Sequence, residues 1–191
     1  MPKQPWGEGT PWKNSTAFFT YLRGCLRKAW SLNPIKLNML KKKRYQIPNP
    51  NPKGKKPTVW GAKCEMCGGE FPLNQIQVDH IVAAGSLQKT EDIQGFVERL
   101  LFVTEEDLRL VCVDCNSALA YADKYNVSYE EARLVKLVVS LEKKKMLQDF
   151  IKSKGEKPAS NAEKRREQAL RLLKEEKEND LQAKEKGYVC L

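Results

Sequence analysis

Four cysteines constrain this chain more than any other feature. They come as two Cys-x-x-Cys pairs, Cys64 with Cys67 and Cys112 with Cys115, and 44 residues separate the pairs. Four thiolates in two such pairs make a closed tetrahedral zinc site, which is structural and leaves no position for water. The gap exceeds the roughly 15–20 residues of an ordinary zinc ribbon, so a folded segment has to fit between the pairs. That segment contains Val78-Asp79-His80-Ile81, and His80 is the only histidine of the chain. Asn116 stands directly after the fourth cysteine. An ion held by both pairs ties the two ends of the segment together and fixes Asp79 and His80 relative to Asn116. A short two-stranded hairpin is marginal on its own, and a metal staple supplies the missing stability.

Zinc rather than disulfide is expected because the sequence reads as intracellular. No apolar run approaches the roughly 18 residues that span a bilayer, and the start, Met-Pro-Lys-Gln-Pro-Trp, has no apolar signal region. In a reducing compartment paired cysteines bind metal. Cys25 stands alone and reads as core on a helix face. Cys190 lacks the three following residues that a prenylation box needs.

Charge divides the 191 residues into three. Residues 1–63 carry 14 lysines and arginines against one acid, Glu8; residues 64–150 carry 9 bases and 15 acids; residues 151–191 carry 11 and 8. A basic arm on an acidic body is the footprint of a polyanion binder, here a nucleic acid. The expected phosphate contacts are Arg23, Arg27, Lys28, Lys41, Lys42, Lys43, Arg44, Lys53, Lys55 and Lys56. The organisation read from this is a basic arm with an amphipathic helix over 1–63, a core over 64–152 and a charged helical tail over 153–191.

The fold class expected is α+β and mostly helical. Asn14 or Ser15 caps a helix to about Trp30, with Phe18, Phe19, Leu22, Cys25, Leu26, Ala29 and Trp30 on its apolar face. Asn33-Pro34 breaks it, and a second short helix is expected from Ile35 to about Tyr45. Pro48 to Pro57 reads as a loop or linker, polyproline-like and basic. Residues 75–81 read as a strand, left through a turn at Ala84-Gly85-Ser86. A helix capped by Thr90 follows over 91–102, then a strand over 107–111 and a helix from Cys115 or Asn116. Ser128 caps a further helix over 129–152, with Ala132, Val135, Leu137, Val138 and Leu141 inward. Gly155 to Pro158 ends the folded body. Residues 160–186 read as a solvated helix, because Leu170, Leu172, Leu173 and Leu181 keep no heptad.

Asp79, His80 and Asn116 have the right chemistry for phosphodiester hydrolysis. An imidazole with a free pKa of about 6.5 is an effective base at neutral pH. One carboxylate and one amide oxygen hold a hard cation, Mg²⁺ or Mn²⁺, and leave positions for water and phosphate. Adjacent strand residues point to opposite faces, so Asp79 and His80 line one cleft only at the strand's end.

The pattern Cys-x-x-Cys, Val-Asp-His-Ile, Leu-x-x-Cys-x-x-Cys-Asn resembles the HNH, or ββα-metal, endonucleases. Gly85-Ser86-Leu87 and Gly95-Phe96-Val97-Glu98-Arg99-Leu100 look similar to phage-type members, as do Tyr21-Leu22-Arg23 and Leu26-Arg27-Lys28-Ala29-Trp30. The Cys-x-x-Cys-Asn ending resembles that of zinc-bearing phage resolvases. The resemblance covers about residues 17–135. It implies a small ββα-metal core with flanking helices, structural zinc on Cys64, Cys67, Cys112 and Cys115, and a catalytic Mg²⁺ or Mn²⁺ on Asp79 and Asn116. His80 matches the general base. The implied reaction is DNA cleavage, of one strand or both, to 5′-phosphate and 3′-hydroxyl ends. The implied setting is the host cytoplasm, with DNA as substrate and a second copy or other phage proteins as partners. Asn116 stands where many members have His. Asp107 stands where a His-orienting Asn is common and could steer His80 through its carbonyl or carboxylate. Ser117-Ala118-Leu119 lacks the usual basic residue. The competing reading is a non-catalytic zinc module that binds nucleic acid in a phage packaging or replication complex.

Overall fold

A computed structural model describes residues 4–51 and 53–185. Pro52 and Cys190 lie outside the described residues, as does the side chain of Leu181. The described chain is α+β, with seven α-helices and two small sheets. It divides into two compact units, residues 1–113 and 114–191.

In the first unit, helices α1 (Ser15–Ser31) and α2 (Pro34–Lys43) precede a three-stranded antiparallel sheet of β1 (Tyr45–Pro48), β2 (Thr58–Lys63) and β3 (Glu70–Pro72). The Asn14 side chain accepts the Ala17 N–H at 3.0 Å and caps α1. Asn33 caps α2 in the same way, with Pro34 in its first turn. Phe19 and Trp30 are buried on α1, whereas Cys25 is exposed. Cys25 is not core because the buried stripe runs through residues 19 and 30, and position 25 sits well off that line.

The second helix stops before Tyr45, since Tyr45–Pro48 pairs with β2 instead: Gln46 lies opposite Trp60 and Pro48 opposite Thr58. Of the two readings of the proline-rich stretch, loop or linker, the pairing makes it a hairpin loop. Asn49 closes it, donating its backbone N–H to the Pro57 carbonyl (2.9 Å) and its side-chain amide to the Lys56 carbonyl (2.8 Å).

Between β2 and β3 the first cysteine pair makes a tight turn. Cys64 donates to the Gly69 carbonyl (2.8 Å) and Gly68 donates back to Cys64 (2.9 Å). Gly68 has φ +73°, a conformation that a side chain would strain. A second, two-stranded antiparallel sheet follows, of β4 (Ile76–His80) and β5 (Leu108–Cys112), running from Ile76 opposite Cys112 to His80 opposite Leu108. Ile76, Val78, Leu108, Leu110 and Val111 are buried. Between these strands α3 (Asp92–Leu101) buries Phe96 and Leu100 and packs on α1. Thr90 does not cap α3: the Asp92 carboxylate takes the N–H groups of Gln88 and Lys89 (2.9 and 3.1 Å). Asp107 belongs to a 3-10 turn, Glu105–Asp107, and the strand starts one residue later.

Helix α4 (Val113–Tyr125) begins two residues before Cys115. In the second unit the single helix expected over 129–152 is two, α5 (Tyr129–Lys143) and α6 (Leu147–Ser153). Met146 N–H bonds the Leu141 carbonyl (2.8 Å) and Lys145 N–H that of Glu142 (2.9 Å), with Lys145 at φ 59°. That is a Schellman stop with lysine in the left-handed position. Leu137, expected inward, is exposed, and Leu134 packs inward with Leu141.

Helix α7 (Ala162–Glu185) is not a solvated tail. Its Ala169, Leu172 and Leu173 are buried with Val138, Leu147 and Ile151 in one apolar cluster. Ion pairs Arg166–Glu142 (2.7 Å) and Lys154–Glu176 (2.7 Å) flank it. Two turns of apolar spacing suffice to pack one helix on two others, so the missing heptad excluded a coiled coil but not a bundle. No helix among the described residues is long and apolar enough to cross a membrane.

Candidate metal centre and the end of the fourth strand

The sulfur atoms of Cys64, Cys67, Cys112 and Cys115 all lie within 4.8 Å of one another. Four sulfurs at about 2.3 Å from one ion would stand roughly 3.8 Å apart, so a slight contraction gathers them around a metal such as zinc. The first unit prepares this electrostatically. The Cys112 N–H donates to the Cys64 sulfur at 3.2 Å. Burial pushes the Cys64 thiol up, but amide hydrogen bonds from Cys112, Cys67 and Met66 outweigh it and bring the thiol down to about 7. Glu65 stitches the knuckle to β5: its N–H donates to the Leu110 carbonyl (2.8 Å) and its carboxylate accepts from Leu110 N–H (3.1 Å). In the second unit the Tyr129 hydroxyl donates to the Cys115 sulfur at 3.0 Å.

Asp79 and His80 are the last two residues of β4. Asp79 lies opposite Arg109 on β5, whose Nε and Nη2 both reach its Oδ2 (3.0 and 2.9 Å). Arg109 Nη1 also approaches the Met66 sulfur inside the first knuckle, at 3.8 Å. His80 leaves the strand on the other face. Its ring lies 4.3 Å, centroid to centroid, from the Trp30 indole, and its Nε2 is 3.1 Å from the Leu100 carbonyl oxygen. A carbonyl only accepts, so in the neutral ring Nε2 carries the proton and Nδ1 keeps the lone pair. His80 borders a cleft of about 220 Å³ with Glu98, Arg99, Phe102, Val103 and Asp107. Asp79 does not line that cleft. Strand alternation persists to His80 because the ladder runs one bond further, from Ile81 N–H to the Asp107 carbonyl (2.9 Å).

The Asp107 carboxylate is turned to Thr104, whose N–H and hydroxyl it accepts (2.8 and 2.9 Å). Those bonds hold it below the usual carboxylate range, and the charge of His80 adds to this. The group at the imidazole nitrogen is thus the Leu100 carbonyl. Asn116 is half-buried in the first turn of α4, one residue after Cys115.

Among the expected phosphate contacts, Lys42 is paired with Glu105 (2.6 Å) and Lys43 with Glu65 (2.7 Å). Arg44 lies over the Trp60 ring at 4.5 Å. Arg27, Lys28, Lys41, Lys53, Lys55 and Lys56 are exposed, and Arg23 is half-exposed. Arg109, Tyr129 and the Leu100 carbonyl were missed in the sequence. Once β4 and β5 are paired the register puts Arg109 opposite Asp79, but no local pattern marks the other two.

Comparison of the chain with protein-family models, with curated proteins and with solved structures gives no match.

Proposed function

We propose that this protein is a metal-dependent endonuclease of the HNH type, with a structural zinc on the four cysteines and a catalytic Mg²⁺ or Mn²⁺. The carrying observation is the order of parts: Asp79 and His80 end one strand, and the strand paired with it runs through Cys112 into the helix that bears Cys115 and Asn116.

His80 is the base. With Nε2 committed to the Leu100 carbonyl, Nδ1 is the atom that takes a proton from water. The Trp30 ring limits how far the imidazole can turn. Asp79 is the acidic ligand. Arg109 occupies only Oδ2, so Oδ1 is the oxygen offered to a cation, with the Asn116 amide oxygen as the second protein ligand. When bound, the cation supplies charge neutralisation at the phosphate and at the leaving 3′ oxygen. Asp79 and His80 leave the strand on opposite faces, so a scissile phosphate would meet both only around the strand's end, not in the His80 cleft.

The test is supercoiled plasmid with Mg²⁺ or Mn²⁺, wild type beside His80→Ala. Nicked or linear product from the wild type alone supports the nuclease. Binding without cutting by the wild type in either metal favours the competing non-catalytic zinc module.

A further inference from the structure

We infer that the β1–β2 ribbon is the element that docks duplex DNA, by laying its open face and basic tip along the major groove. This deepens the nuclease reading and rests on DNA being the substrate.

Residues 44–63 carry Arg44, Lys53, Lys55, Lys56 and Lys63 and no acid. The neighbouring Lys42 and Lys43 are spent on Glu105 and Glu65, whereas the bases of the ribbon face no acid of their own stretch. Its shape is set by register. Strand β3 pairs with β2 only at Gly61, Ala62 and Lys63, so the three pairs beyond, Gln46 with Trp60, Ile47 with Val59 and Pro48 with Thr58, form a two-stranded ribbon. One face is anchored, because Ile47 is buried at 4% exposure. Alternate positions put Gln46, Pro48, Thr58 and Trp60 on the other face, and all four are exposed. Beyond them the asparagine-closed loop presents Lys53, Lys55 and Lys56 to solvent.

A two-stranded ribbon fits the B-DNA major groove, about 12 Å wide. The deep, narrow major groove of an RNA duplex excludes it. The Trp60–Arg44 pair argues for duplex over single strand. Arg44 already covers one indole face, so the platform offers guanidinium donors to base edges or phosphates and less bare ring to an unstacked base. The loop lysines reach phosphates and release counterions.

The test is anisotropy of a labelled DNA duplex against salt, without added Mg²⁺ or Mn²⁺. It compares the zinc-loaded wild type with a Lys53→Ala/Lys55→Ala/Lys56→Ala variant, with Arg44→Ala, and with a Lys143→Ala/Lys144→Ala control from the second unit. Zinc content and circular dichroism verify folding. The triple variant is expected to lose about 2–3 from the slope of log affinity on log salt and at least tenfold in affinity. Arg44→Ala weakens binding, the control binds as wild type, and duplex RNA and single-stranded DNA bind the wild type more weakly. An unchanged slope in the triple variant overturns the docking role, and so does equal binding of duplex RNA or of single-stranded DNA. The two readings separate cleanly. A wild type that docks through the ribbon and never cuts removes the nuclease. One that cuts, with a triple variant that binds unchanged, removes the ribbon.

Discussion

Individual side chains around the strand end are tied to partners that can be removed one at a time. Tyr129→Phe deletes the hydroxyl that donates to the Cys115 sulfur. Such outer donors hold a ligand's charge and direction, so zinc affinity should fall roughly 10–100-fold in chelator competition while the fold persists with zinc in excess. Arg109→Leu leaves the Asp79 carboxylate without its cation at a site where each side chain is only about a fifth exposed. The loss should be about 1–3 kcal/mol by urea unfolding, and Asp79→Asn in the same chain should restore part of it, the signature of direct coupling. Asp107 gives a pH handle. Its carboxyl is held below the ordinary range by Thr104, so it favours the native state at neutral pH. That contribution is lost as pH falls through the lowered native value. The stability gap between wild type and Asp107→Asn should therefore close in acid. The residues of the site were legible as types at fixed spacing: paired cysteines, an acid before a lone histidine, an amide after the last cysteine. Their partners were not, because Arg109, Leu100 and Tyr129 lie 30, 20 and 14 residues from the groups they touch.

Elements were legible where a local signal set them. Asn14 and Ser128 each accept a helix N–H, as expected of N-caps, and Asn33, read in the sequence only as a break, also caps its helix. The first sheet was not legible. Four residues of β1 followed by a proline-rich loop carry little alternation, and only pairing with β2 makes them a strand. The break between α5 and α6 was hidden for the opposite reason. Lys143-Lys144-Lys145 has good helix formers, yet the Schellman bonds of Lys145 and Met146 end the helix there. Lysine at φ 59° is a poor occupant of that position. Lys145→Gly should raise stability by about 0.5–1 kcal/mol, read as a higher denaturation midpoint. A fall would mean that the two helices run on as one.

At the scale of the molecule, charge segregation misled. The mixed-sign segment after Gly155 has the composition of a solvated helix, but its few leucines close the core of the second unit. Leu172→Ala should cost about 2–4 kcal/mol in that unit's unfolding; a tail in solvent would lose nothing. The cysteine cluster, by contrast, was legible because metal chemistry fixes four donors regardless of what lies between them. The most direct measurement is single-turnover cleavage of an end-labelled DNA duplex by zinc-loaded protein in Mg²⁺ and in Mn²⁺, with His80→Ala alongside at equal zinc content. The expected result is product with 5′-phosphate ends from the wild type and a rate lower by about 10²–10⁴-fold in the variant. No product from the wild type with either metal, or equal rates from the two proteins, would contradict the assignment of His80 as the base of a nuclease.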